Sequence, residues 1–177
     1  MIELRTPRLI CTPLREQDWP FFLALQQDPE VMRYVADERP VAALRDAFES
    51  RLPEWSPGCA HWLCLVVRDQ ATGTPLGLSG YIHREDDCAE VGFLFAPHAQ
   101  GKGYGLESLR AVCEFAFTQG KIRRLTATVT AGNGASRRLL EKVGFRIEGE
   151  LRESYYLADV WCNDWLFGLL KREYIGD

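Results

Sequence analysis

No apolar run in the sequence approaches the roughly 18 residues that a membrane-spanning helix requires. The N-terminus, Met1-Ile2-Glu3-Leu4-Arg5-Thr6-Pro7-Arg8, places charges where a secretory leader needs an apolar stretch. A cytoplasmic protein with no membrane partner is therefore expected. Proline-rich, Ser/Gly-rich and repeated segments are also missing, so nothing in the 177 residues marks a linker, and one domain over residues 1–177 is expected. Basic charge is in short supply: 21 Lys and Arg face 25 Asp and Glu, a formal net charge of -4. Proteins that live on nucleic-acid phosphate are usually basic, which excludes direct nucleic-acid binding as the main role. Metal-ligand spacing is lacking too. Six cysteines (Cys11, Cys59, Cys64, Cys88, Cys113 and Cys162) are scattered, and read as reduced core residues in a chain without a leader. The cluster Cys59, His61 and Cys64, even with His83 and Cys88 added, lacks the paired two-residue gaps of a typical zinc site, so no metal is expected.

What is present suits a folded globular chain, with 46% hydrophobic and 26% charged residues. A short strand at Arg8 to Pro13 precedes three helices. The first starts at Asp18-Trp19-Pro20, with Asp18 as N-cap and Phe21, Phe22 and Leu25 as its apolar stripe. The second follows Asp28-Pro29. The third runs from Pro40 to Leu52, with Leu44, Ala47, Phe48 and Leu52 at helical spacing. Trp62 to Val67 and Leu76 to Ile82 form a hairpin around Gln70 to Pro75, and Cys88 to Phe95 is the next strand. On that strand Ala89, Val91, Phe93 and Phe95 share one face, and Glu90, Gly92 and Leu94 the other. A glycine loop leads into a helix with Leu106, Leu109, Cys113 and Ala116 buried and Glu107, Arg110 and Glu114 wet. A strand (Ile122 to Val129), a helix (Asn133 to Lys142, closed by Gly144) and two strands (Phe145 to Leu151, Val160 to Leu170) complete the order. That order describes an α/β fold, a mixed and mostly antiparallel sheet flanked by helices.

Gln100-Gly101-Lys102-Gly103-Tyr104-Gly105 joins a strand end to a helix start, where free N–H groups and the helix dipole favour an anion. Glycines there allow close approach and positive φ; without a ligand the same segment is a tight turn. A P-loop needs Ser or Thr after Gly-Lys, and Lys102 is followed by Gly103. A dinucleotide fingerprint needs its third glycine one residue later than Gly105, although Arg123 and Arg124 would suit a 2′-phosphate, so an NADP-binding oxidoreductase stays a minor alternative.

A third reading is coenzyme A. Gln100, Gly103 and Gly105 match position by position the Q/R-x-x-G-x-G/A loop of the GNAT superfamily of acyl-CoA-dependent N-acyltransferases, and here the sequence resembles that family. Asn133-Gly134-Ala135-Ser136 and Glu141-Lys142-Val143-Gly144-Phe145 resemble the second motif of its RimJ/RimL branch, as do the opening Leu4 to Leu9 and the closing Trp161 to Tyr174. The resemblance implies a pair of strands that splay at the cofactor site and an acetyl-CoA-dependent N-acetyltransferase. Its acceptor would be a protein N-terminal α-amine or a small-molecule amine. It implies further that the backbone of Phe93 and Phe95 holds the pantetheine arm, that the amides of Gln100, Gly101, Lys102, Gly103, Tyr104 and Gly105 hold the pyrophosphate, and that Asn133 and Ser136 touch the cofactor. Asn133 reads equally as a plain helix N-cap.

Charge is uneven along the chain. Lys121 to Arg146 holds seven Lys or Arg and one Glu, a balance of +6, so the remainder sums to -10. Lys102, Arg137 and Arg138 are candidate phosphate partners, or else solvated surface residues. Glu90 is the candidate base, acting directly or through water. An α-amine with a pKa near 7.8 is neutral in roughly one molecule in seven at pH 7, so it demands little of that base. Many family members carry tyrosine where this chain has Leu140, which leaves Ser136 or water to protonate the departing thiolate. Cys113 lies on an apolar stripe and reads as core. Trp161, Asn163 and Trp165 share one strand face and are candidates to line the acceptor pocket, and the acidic turn Glu85, Asp86 and Asp87 is a candidate to attract a cationic acceptor. A non-catalytic acyl-CoA-binding sensor or assembly protein is the second functional class, and the oligomeric state is left open to a homodimer.

Overall fold

The computed structural model describes residues 1–174. Strands β1 (Leu4–Arg5), β2 (Leu9–Pro13), β3 (Leu63–Asp69), β4 (Pro75–His83), β5 (Cys88–Phe95), β6 (Arg124–Thr130), β7 (Arg146–Leu157) and β8 (Val160–Leu170) build one sheet, in spatial order β1-β2-β3-β4-β5-β6-β8-β7. Every neighbouring pair is antiparallel except β5 and β6, which run parallel and are joined by the crossover helix α4 (Tyr104–Phe117). The expected mixed, mostly antiparallel sheet with flanking helices is what the chain forms.

Strand alternation sorts the apolar side chains onto two faces. Leu9, Leu65, Tyr81, Val91, Leu125 and Phe167 pack with Leu109, Val112 and Cys113 of α4, and with Leu140 and Val143 of α5 (Gly134–Val143). On the opposite face Leu14, Cys64, Val66 and Leu78 pack with Phe22 and Leu25 of α1 (Trp19–Gln27) and Phe48 of α3 (Val41–Glu49). The rings of Phe22 and Phe48 meet edge to face at 5.3 Å, each fully buried, and such burial is worth about 2–3 kcal/mol per ring. Asp28 caps the short α2 (Pro29–Met32) by accepting from the amides of Glu30 and Val31. No helix among the described residues is long and apolar enough to cross a membrane.

Four expectations change. Asp18 is not a side-chain cap of α1: its carboxylate closes the preceding 3-10 turn onto the Arg15 amide and pairs with Arg68, which accounts for an aspartate only 5% exposed. Helix α3 stops at Glu49, short of Leu52. Glu107 is not a wet residue, because Arg8 and Thr6 bind it. Strand β7 continues to Leu157, past an irregularity at Leu151 to Tyr155 where Glu153 takes positive φ.

Two glycines shape the middle of the sheet. Gly80 and Gly92 are register partners, and a Cβ on Gly80 would stand 1.7 Å from the Leu63 carbonyl oxygen. A Cβ on Gly92 would stand 3.1 Å from two atoms at the edge of the Trp62 ring, so glycine there lets the indole approach β5 closely. Gly80→Ala should push β3 from β4 and lower the unfolding free energy by at least about 3 kcal/mol, measured by urea denaturation.

Candidate active site

The parallel pair β5 and β6 is joined only through Cys88↔Arg124, Ala89↔Leu125 and Glu90↔Thr126. Beyond that point β5 runs on to Phe95 and β6 to Thr130, each held on its far side by β4 or β8. Their facing edges carry backbone N–H and C=O groups with no strand partner, as the resemblance implied for a splayed pair.

A cavity of about 500 Å³ lies at this gap, lined by residues from both faces of the sheet. From the α4 and α5 side it is lined by Val91, Phe93, Asn133, Ser136 and Leu140. From the α1 and α3 side it is lined by Glu90, Trp62, Arg51, Tyr155 and Asp164. Glu90 Oε1 accepts from Arg84 Nη2 at 3.0 Å and Nε at 3.3 Å, which fixes the carboxylate at the last paired step before the strands part. Asn133 Oδ1 accepts the Ser136 amide at 3.3 Å, so Asn133 is an N-cap while also facing the cavity.

Phe95, Gln100 to Gly105 and Arg138 lie outside the cavity, at the end of β5 and the starts of α4 and α5. Gly101 and Gly103 take φ of 75° and 82°, values that a side chain would strain, and Gly103 at the N-cap position has no side chain to cover the first amides of α4. The loop is braced from the start of the chain. Arg8 donates to Glu107 Oε1 at 2.8 Å and to the Lys102 carbonyl at 2.9 Å, and its guanidinium lies 4.5 Å from the Tyr104 ring centre. Gln100 Nε2 donates to the Phe95 carbonyl at 3.0 Å, closing the loop onto β5. Burial would raise the Glu107 pKa, but hydrogen bonds from Thr6 and Arg8 outweigh it and hold this carboxyl below the usual range.

The basic segment is less free than its count suggests. Arg124 pairs with Glu148, Arg146 with Glu173, and Arg137 with Glu141 while stacking on Trp165. Lys102 and Arg138 make no ion pair among the described residues. Cys113 is fully buried, and burial pushes its thiol pKa up, so it stays a core thiol. His61, His83 and Cys59 bond separately to the Pro53 carbonyl, the Gly58 amide and the Ser56 amide.

Trp161, Asn163 and Trp165, the face of β8 expected to line an acceptor pocket, do not line this cavity. Trp165 packs towards α5, its Nε1 donating to Glu150 at 2.9 Å, and Asn163 is clamped to Glu150 and to the Glu153 amide. Asp164, on the opposite face, lines the cavity beside Tyr155, whose hydroxyl donates to the Val35 carbonyl at 2.6 Å. Apolar residues on both faces of β8 hid this parity, while Phe167 and Leu169 in the core fix it. Tyr34, Arg51 and Trp62 were also missed, since no motif surrounds them.

The sequence profile described as "Acetyltransferase (GNAT) domain" matches residues 8–146. Over 180 aligned positions the chain is 28% identical to Uncharacterized N-acetyltransferase p20 of Bacillus licheniformis, covering 99% of this chain and 100% of that protein. It is 22% identical to the spermidine N(1)-acetyltransferase of Escherichia coli K12, covering 93% and 87% respectively. In fold it resembles the spermidine N-acetyltransferase of Vibrio cholerae solved in complex with CoA and spermine, with a TM-score of 0.84 at 22% identity over 96% of this chain and 99% of that one.

Because the Glu107 pKa is depressed in the fold, its contribution to stability is complete above the unfolded value near ~4.3 and fades as pH falls through the folded one. Thermal melts of the parent and Glu107→Gln should therefore differ at pH 7, and the gap should narrow as pH drops below about 4.

Proposed function

The chain belongs to the GNAT acetyltransferase family, and from that premise we propose an acetyl-CoA-dependent N-acetyltransferase that transfers the acetyl group directly to a primary amine. The observation that carries this reading is the cavity where β5 and β6 part, whose lining draws on both faces of the sheet and so suits two reactants meeting there. In this reading residues 1–177 act as one cytoplasmic domain, and the acceptor is a protein N-terminal α-amine or a small-molecule amine. The CoA and spermine bound by the Vibrio cholerae protein support the cosubstrate and the amine class.

Acetyl-CoA would enter from the α4 and α5 side. Its pyrophosphate suits the uncovered amides from Gly101 to Gly105, with Lys102 and Arg138 as counter-charges, while the Gln100 amide already donates to the Pro97 carbonyl at 3.2 Å. Its pantetheine amides suit the edge of β5 at Phe93 and Phe95, which has no strand partner there, bonding as an added strand would beside the Gln100 side chain that already reaches the Phe95 carbonyl. Asn133 and Ser136 line the path between the loop and the gap.

The acceptor amine would then face Glu90, as base directly or through one water. The amine nitrogen bonds to the acetyl carbonyl carbon and the oxyanion is stabilised by a backbone N–H at the strand edge. As the C–S bond breaks, the nitrogen gives up its proton and the sulfur leaves as a thiol, drawing a proton from Ser136 or water. Leu140 is fully buried at the cavity wall and offers no proton. Tyr34 is a second hydroxyl on the lining, with no hydrogen bond among the described residues.

Calorimetry should show acetyl-CoA binding and no comparable binding of NADP, and thiol release should follow on addition of an amine. Glu90→Gln should lower kcat by about a hundredfold while leaving acetyl-CoA affinity within twofold. Binding without turnover on any amine would instead support the sensor.

A further inference from the structure

The acceptor half of the cavity carries charge of both signs, and their pairing restricts what can enter. Glu90 and Asp164 supply carboxylates, with Glu90 already bonded to Arg84 and Asp164 accepting from Ser154 at 2.9 Å. Arg39 and Arg51 supply guanidiniums on the same lining. Arg39 donates to the neutral Gln26 side chain, and neither arginine makes an ion pair among the described residues.

Arg51 is held in place by ring faces. Its guanidinium carbon lies 5.5 Å from the Phe22 ring centre and 5.6 Å from that of Trp62, beside the buried Cys64 thiol. It stands in a wall shared with a second cavity of about 570 Å³. Stacking on rings orients a guanidinium while leaving its N–H edge able to take a planar anion in two parallel bonds. The Trp62 ring rests on Gly92, two residues beyond Glu90 on the same face of β5. One lining wall therefore runs from the gap and Glu90, across Gly92 and Trp62, to a guanidinium that bonds the Cys64 thiol and makes no ion pair among the described residues.

We infer that the acceptor is a zwitterion, a small primary amine that also bears a carboxylate, with Arg51 gripping the carboxylate while the amine stands at the gap. This rests on the acetyl-transfer reading above. A polyamine would set a second cation against Arg51, whereas an amino acid or short peptide places an anion there. The carboxylate takes no part in bond making: nitrogen acquires the acetyl carbon, the C–S bond breaks, and the carboxylate only orients the nucleophile.

The test is thiol release from acetyl-CoA with a panel of amino acids, each paired with its amide and its decarboxylated amine. The amide matters because its amine is less basic than that of the acid, so a preference for the acid cannot come from amine ionisation. The best acceptor should be a carboxylated member whose kcat/KM exceeds that of its amide by about ten- to a hundredfold, mostly through KM. Arg51→Gln should bring that ratio towards one, and Arg51→Lys should restore part of it, with folding of both checked by circular dichroism. If amides and decarboxylated amines serve as well as acids, or if a folded Arg51→Gln keeps the ratio, the inference fails and acetyl transfer stands. If no amine of any class releases thiol, acetyl transfer and the zwitterion fall together.

Discussion

An interior strand edge without a partner is costly, because each unsatisfied backbone donor or acceptor shut away from water forfeits about 1–3 kcal/mol. The gap between β5 and β6 concentrates that problem at one place. Pairing stops after three steps, yet both strands continue, so the sheet is held together on either side of an open seam. The seam persists because β4 and β8 pair the outer edges along the whole length, and α4 and α5 pack on the core beneath it. What the fold withholds from itself there, an extended ligand with amides of its own can supply.

Electrostatics follow from the same geometry. The formal charge of -4 divides into a basic segment and an acidic remainder, but folding redistributes both. Arg124, Arg137 and Arg146 are drawn into ion pairs with Glu148, Glu141 and Glu173, so the segment's charge excess is spread over the surface rather than focused on the loop. Exposed pairs of this kind contribute little to stability. What is left for an anion at the loop is the backbone, with Lys102 and Arg138 at its sides.

Much of this was legible in the residues, and the reasons differ by element. Strand alternation at Cys88 to Phe95 set both faces correctly, because one face is apolar throughout and the other is broken by Glu90 and Gly92. The loop was legible because positive φ at Gly101 and Gly103 restricts residue choice. The acceptor half was not. Strand β8 carries apolar residues on both faces, so its alternation was legible but not which face meets the cavity, and it is Asp164 rather than Asn163 that lines it. Arg51 and Tyr34 come from the α1 to α3 region, and only tertiary packing brings them to the gap. Asp18 misled for a related reason: its local signal for a helix cap was overruled by Arg68, fifty positions away.

The brace on the glycine loop joins residues 99 positions apart, Arg8 and Glu107. Contacts of such separation form only after much of the intervening chain has been ordered, since loop closure is opposed by chain entropy. The braced shape of the loop is therefore a property of the finished sheet and not of the loop's own sequence. A chain in which Arg8 has not yet docked carries the glycines without the brace, so the loop's geometry arrives with the completed fold.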